Sequence, residues 1–247
     1  TITGNIADNV LNGGTGNDTL IGLAGNDTYV VDVTTDVVTE ATGAGIDLVQ
    51  YGGAAGTTYT LSANVENLVL LGLAATKGVG NDLNNTITGN SANNSIAGGG
   101  GADTIDGGAG VDTIKGGLGQ DTLTGGAGND KFVFTQGDTV NLANLANADR
   151  ITDLSIGDRI DLCSLVGLTD KNQISVQTID GVNYLKVETL ASSTEAGYIR
   201  IDGALPGKFS AWTFSGGVLT VAPNTPPAIT LPTSTVVQPK LLTTGAG

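Results

Sequence analysis

Glycine returns every nine residues in two runs, at Gly4, Gly13 and Gly22 and then at Gly80, Gly89, Gly98, Gly107, Gly116 and Gly125. The sixth residue of each unit is always Asx: Asn9, Asp18, Asp27, Asn85, Asn94, Asp103, Asp112, Asp121 and Asp130. The eighth is always apolar: Leu11, Leu20, Tyr29, Ile87, Ile96, Ile105, Ile114, Leu123 and Phe132. Glycines permit the left-handed backbone of a tight turn, and the three residues after the Asx alternate out, in, out as a short strand. One apolar side chain per nine residues cannot make a core alone. Two units therefore close one coil of a flattened solenoid, and successive coils pair in parallel. The expected fold is all-β, a parallel β-solenoid with two facing ladders of Ile and Leu inside.

Stacking every second unit sets Asp103 over Asp121, Asp112 over Asp130, Asn85 over Asp103 and Asn94 over Asp112. Asp18 falls under Asp36, and the cadence recurs once more at Asp47 after a small insertion. Carboxylate columns in close-packed turns repel, and the ten lysines and arginines form no matching column. Asx residues favour turns without any ion. The columns with their glycine partners point beyond that to a hard dication with oxygen ligands. Calcium suits a carbonyl-rich cage, whereas magnesium prefers to keep its waters.

Composition removes other classes. The chain has 247 residues, no histidine and one cysteine, Cys163, so a His-based triad, a zincin helix and an internal disulfide are excluded. A formal net charge of −14 argues against nucleic acid and anionic membranes as partners, and no apolar stretch approaches the ~18 residues of a membrane helix. Cys163 is expected to be a small buried residue, and Trp212 and Tyr184 to be core. The chain opens Thr-Ile-Thr-Gly-Asn, words repeated at Thr86–Asn90, and carries no recognisable signal peptide. It reads as a fragment or a processed product.

The units Gly-Gly-Thr-Gly-Asn-Asp-Thr-Leu-Ile (13–21) and Gly-Gly-Ala-Gly-Asn-Asp-Lys-Phe-Val (125–133) resemble the RTX (repeats-in-toxin) nonapeptide. The resemblance implies that the solenoid is a parallel β-roll, with calcium held between turns by the second- and fourth-position carbonyls and the sixth-position carboxylate. Carried onto this sequence, the ligands are Gly14, Gly16 and Asp18, then Gly25 and Asp27, with Asp36 and Asp47 continuing the columns. In the second block they are Gly99, Gly101 and Asp103; Gly108, Gly110 and Asp112; Gly117, Gly119 and Asp121; Gly126, Gly128 and Asp130. About six calcium ions are expected. Asn9, Asn85 and Asn94 depart at the carboxylate, which should weaken or empty their sites.

The segment Asp149–Leu162 resembles the cap that follows such repeats in serralysin-type proteases and alginate epimerase R-modules. Its carboxylates Asp149, Asp153, Asp158 and Asp161 read as turn residues or a further calcium set, with Asp153 taken as the ligand. Hairpins are expected about Asp180-Gly181 and Gly216-Gly217. The chain divides into a first repeat block (1–50), longer coils of the same solenoid (51–79), a second block (80–133), a β-rich cap (134–222) and a Pro/Thr-rich tail (223–247).

The function expected is a non-catalytic calcium-binding module. The resemblance places it in a protein secreted from, or displayed on, a Gram-negative bacterium, exported by type I secretion and folding outside. Any catalytic domain would lie beyond these residues. The alternative is a structural or adhesive module contacting neighbouring copies in a surface layer, or a polysaccharide-binding module attached to a secreted enzyme.

Overall fold

A computed structural model describes residues 1–139, 142–165, 168, 170–188, 197–205 and 212–222. The tail expected over 223–247 lies outside them. The chain winds as a parallel β-roll whose two faces are built from alternate strands. One face is an eleven-stranded sheet, beginning Val10–Asn12, Thr28–Val31, Leu48–Tyr51, Asn67–Leu70, Thr86–Thr88, Thr104–Asp106, Thr122–Thr124 and Arg150–Ile151. The other face is split. Ile2–Thr3, Thr19–Ile21 and Val37–Thr39 form a three-stranded sheet. An eight-stranded sheet follows, starting at Thr58–Thr60, Lys77–Val79, Ser95–Gly100, Thr113–Leu118 and Lys131–Val133.

In the repeat blocks the register advances by two units per coil, pairing Thr86 with Thr104 and Thr104 with Thr122, and Ser95 with Thr113 and Thr113 with Lys131. Each strand buries its middle residue. Ile105, Ile114, Leu123 and Phe132 are 0% exposed, and burying one such side chain contributes about 1.5–3 kcal/mol. Between the blocks the step lengthens: Thr28 pairs with Leu48 and Leu48 with Asn67, each more than two units on. The longer coils hold the bulkier core. Tyr51 and Tyr59 stack with ring centroids 4.8 Å apart. Tyr59 pairs with Gly78 in the next coil, where a methyl group would press on Leu68 at 3.0 Å, so a large inward residue is followed by none.

The last coils are covered. Arg150–Ile151 pairs in parallel with Gly197–Ile201, which is followed antiparallel by Val182–Val187 and Ile174–Ile179. On the other face Arg159–Asp161 pairs antiparallel with Val218–Thr220, itself paired to Thr213–Ser215. Asp180-Gly181 and Gly216-Gly217 form the hairpin turns, each with two positive φ angles, as type I′ turns require. Trp212 and Tyr184 are buried. Cys163, expected to be buried, is exposed: it follows Arg159–Asp161 at the roll's edge, and its Sγ lies 2.8 Å from the Gly216 carbonyl oxygen. Among the described residues no helix is long and apolar enough to cross a membrane.

Candidate metal centres

The turns on each edge stack their sixth-position residues into a column, and one hydrogen-bond pattern runs along it. The backbone N–H of each donates to a carboxylate oxygen of the residue above. On one edge Asn9 donates to Asp27, Asp27 to Asp47 and Asp47 to Glu66. The series resumes with Asn85 to Asp103, Asp103 to Asp121 and Asp121 to Asp149. On the other edge Asp18 donates to Asp36, and Asn94 to Asp112, Asp112 to Asp130 and Asp130 to Asp158. These bonds are all 2.6–3.0 Å long.

The pattern uses one oxygen of each carboxylate, and in six of them it strands the other, whereas Asp158 Oδ2 accepts the N–H of Ser155. Oδ2 of Asp27, Asp47, Asp103, Asp112, Asp121 and Asp149 is buried with no hydrogen-bond partner among the described residues. An unmet buried charge is among the costliest features a fold can carry, and proteins resolve it with a cation or a proton. Burial pushes three of these carboxyls up from the ordinary range, Asp103 to about 7, Asp112 to about 6 and Asp149 to about 8. Neighbouring carboxylates add to the rise, Asp121 on Asp103 and Asp130 on Asp112, while the backbone N–H bond opposes it. Asp121, Asp130 and Asp158 are raised for the same first cause.

The glycine columns follow from this crowding. A Cβ at Gly107 would lie 2.7 Å from Asp112 Oδ2, and one at Gly125 would lie 2.6 Å from Asp130 Oδ2, so the first position is kept clear for the carboxylate. The glycines at the second and fourth positions (Gly14, Gly16, Gly25, Gly99, Gly101, Gly108, Gly110, Gly117, Gly119, Gly126 and Gly128) have φ between +76° and +145°. At Gly117 and Gly119 a Cβ would also collide with the carbonyl oxygens of Gly99 and Gly101, one coil below. A Cβ at Gly98 would meet both Asp103 Oδ2 and the carbonyl oxygen of Gly116, so carboxylate and carbonyl oxygens crowd the same turns, and oxygen donors of this kind suit a hard dication.

A family profile for the RTX calcium-binding nonapeptide repeat (4 copies) matches residues 1–38, 79–114 and 106–140. The solution structure of the AlgE6R3 subunit from the Azotobacter vinelandii mannuronan C5-epimerase is 31% identical, covering 49% of this chain and 72% of that one, at a TM-score of 0.42. The AlgE6R2 subunit from the same enzyme is 30% identical, covering 51% of this chain and 83% of that one, at a TM-score of 0.41. The chain belongs to the RTX calcium-binding repeat family. No curated protein matches it significantly.

Within this RTX roll the asparagine units are built differently. Asn85 Oδ1 accepts the N–H of Asn81 in its own turn, and its Nδ2 donates to the carbonyls of Val65 and Glu66 in the coil below. Asn94 does the same with the N–H of Asn90 and the carbonyl of Thr76. Asn81 and Asn90 each give Nδ2 to two carbonyls below, Ser62 and Val65 (the latter shared with Asn85), and Leu71 and Ala74. An amide carries both a donor and an acceptor, so it joins two coils with no cation. Asn94→Ala should therefore cost about 2 kcal/mol of stability in saturating calcium, since it leaves buried partners unmet. Thermal unfolding would show the loss, and the number of bound ions by native mass spectrometry should not change.

The cap carboxylates divide. Asp149 and Asp158 extend the two columns, each 28 residues beyond its predecessor because the preceding connection is longer. Asp153 instead accepts the N–H groups of Gly125 and Gly126 on its two oxygens. Asp161 pairs with Lys131 at 3.1 Å. Glu66 holds a column position that the nonapeptide pattern did not reveal. The signal was present as an acid followed two residues later by an apolar residue: Glu66-Asn67-Leu68, Asp149-Arg150-Ile151 and Asp158-Arg159-Ile160.

Proposed function

We propose that this RTX roll is a non-catalytic module that stays unfolded where calcium is scarce and folds on binding calcium after export from a bacterium. The ligands are the sixth-position carboxylates Asp18, Asp27, Asp36, Asp47, Asp103, Asp112, Asp121 and Asp130, with the second- and fourth-position carbonyls of their turns. Asp149 joins them at the cap end. The supporting observation is the row of buried Oδ2 atoms, those of Asp27, Asp47, Asp103, Asp112, Asp121 and Asp149, that no group among the described residues meets.

The mechanism is linkage. An ion that binds the folded turns and not the unfolded chain contributes roughly 1.4 kcal/mol per site at about ten times its Kd. About six such ions contribute on the order of 8 kcal/mol, comparable to the whole stability of a domain. Extracellular calcium modules bind at about 10⁻⁴–10⁻³ M. A cytosol well below that range leaves the chain open, in the state that type I export carries.

Far-UV circular dichroism at pH 8 tests this directly. Calcium should convert a disordered spectrum into a β spectrum, EGTA should reverse it, and magnesium at equal concentration should fail to produce it. A β spectrum indifferent to EGTA would end the proposal.

A further inference from the structure

The first block contains an arrangement of acids that the nonapeptide does not prescribe. Thr39 pairs with Ile21, so Glu40 takes the place in its coil that Gly22 takes one coil below. In the regular nonapeptide units that position is glycine because a side chain would strike the turn's own carboxylate. Here the coil is longer than two units, with Thr28 pairing to Leu48, and the enlarged turn admits the Glu40 side chain. Glu40 points inward and is 8% exposed, beside Asp27 at 1% and Asp47 at 0%. One carboxylate oxygen from each of the three lies within 4.8 Å of the others. Asp27 Oδ2 and Asp47 Oδ2 have no hydrogen-bond partner among the described residues.

The neighbouring residues fit this cluster. Tyr29 occupies the eighth position, where most units carry Leu or Ile, and its hydroxyl reaches from the core to donate to Glu40 Oε1. A Cβ on Gly22 would collide with the Tyr29 hydroxyl, Asp27 Oδ2 and Glu40 Oε1 together, so these oxygens converge on the space that Gly22 leaves free. Three buried carboxylates at this spacing repel strongly unless a cation sits among them.

We propose that Asp27, Glu40 and Asp47 form a three-carboxylate calcium site, with the Tyr29 hydroxyl orienting Glu40, that binds calcium more tightly than the turns of the second block. The site rests on the reading that the columns take calcium, and adds a ligand and an order of filling. Calcium affinity rises with the number of charged ligands and with the rigidity of the site. A third carboxylate held by a core phenol supplies both. The first block then fills at lower calcium than the second.

Competition between the full chain and a chromophoric calcium chelator at pH 8 tests the site. The wild type should bind one ion at least about tenfold more tightly than the rest. Glu40→Gln keeps the shape and an acceptor for Tyr29, and should abolish that tight ion while leaving the weaker ones. Glu40→Asp keeps the charge on a shorter arm and should give an intermediate affinity. Should both variants fail to fold in saturating calcium, terbium added to the wild type decides: its first equivalent should emit on tyrosine excitation. A tight class that survives Glu40→Gln, a wild type without one, or a silent first equivalent of terbium would overturn the site. Loss of this prediction alone leaves the weaker ions and calcium-driven folding intact, whereas a chain that binds no calcium at all would sink the column reading too. A cluster neutralised by shared protons would appear as the wild type lacking the tight class.

Discussion

Replacing Asp112 and Asp121 together by alanine should raise the calcium concentration for half-folding at least about tenfold, and should leave the chain largely open at concentrations that fold the wild type. The two residues lie on opposite edges, so the variant weakens both columns. Each carboxylate has two tasks. Its Oδ1 accepts the N–H of the coil below, from Asn94 for Asp112 and from Asp103 for Asp121. Its Oδ2 is buried without a hydrogen-bond partner among the described residues and is the oxygen proposed to bind calcium. Alanine removes both, so two buried N–H groups lose their acceptors at about 1–3 kcal/mol each. About 1.4 kcal/mol per lost ion adds to that at tenfold excess over Kd. The sum approaches the entire stability of a domain. The corresponding asparagine pair separates the two tasks. An amide oxygen still accepts the N–H, and only the charge is lost, so its midpoint should rise by less than that of the alanine pair. Circular dichroism against calcium reads all three proteins, and coincident midpoints would remove these residues from the ligand set.

The repeat made the roll legible in the sequence because its cause is local. A glycine beside a carboxylate, an Asx closing the turn and one inward apolar residue each have their reason within nine positions, and the stack of Asp103 with Asp121, two units apart, follows from counting. What the sequence hid depends on neighbours in other coils. Asp149 and Asp158 were recognisable as acids but not as column members, since a longer connection moved them well past the two-unit step. Only their mutual spacing of nine betrayed them. Asn85 and Asn94 looked like weakened calcium turns. The amide contacts that join these turns to the carbonyls of Val65, Glu66 and Thr76 become visible only when irregular coils are placed beneath them. Asp153 was expected as a ligand, and what its sequence position did not show is that its two oxygens accept the N–H groups of Gly125 and Gly126 in the coil below. Cys163 was expected inside because free cysteines are commonly buried. The hairpin turn that meets it lies more than fifty residues away in the chain.

Protons should substitute for calcium. In the cation-free fold Asp149 is raised to about 8, Asp103 to about 7, and Asp112 and Asp47 to about 6, with burial the first cause in each. In the unfolded chain the same groups titrate near 3.9. Folding without calcium therefore takes up protons between about pH 4 and 8, and stability must rise as pH falls through that window. Each unit of relief at one group is worth about 1.4 kcal/mol, and four groups relieved between pH 8 and pH 5 supply several kcal/mol. The chain in EGTA should be disordered at pH 8 and should gain β structure by pH 5. Calcium-driven folding behaves otherwise. The unfolded carboxylates are already ionised above about pH 5, and the calcium-bound ones remain so, so the calcium midpoint should barely move between pH 8 and 6. Where the acid-folded form does exist, calcium must displace its protons, and a pH-stat near pH 5.5 should register their release. Circular dichroism in EGTA across this range is the decisive measurement. A chain equally disordered at pH 5 and pH 8 would mean that charge in the columns is not what holds the cation-free roll open.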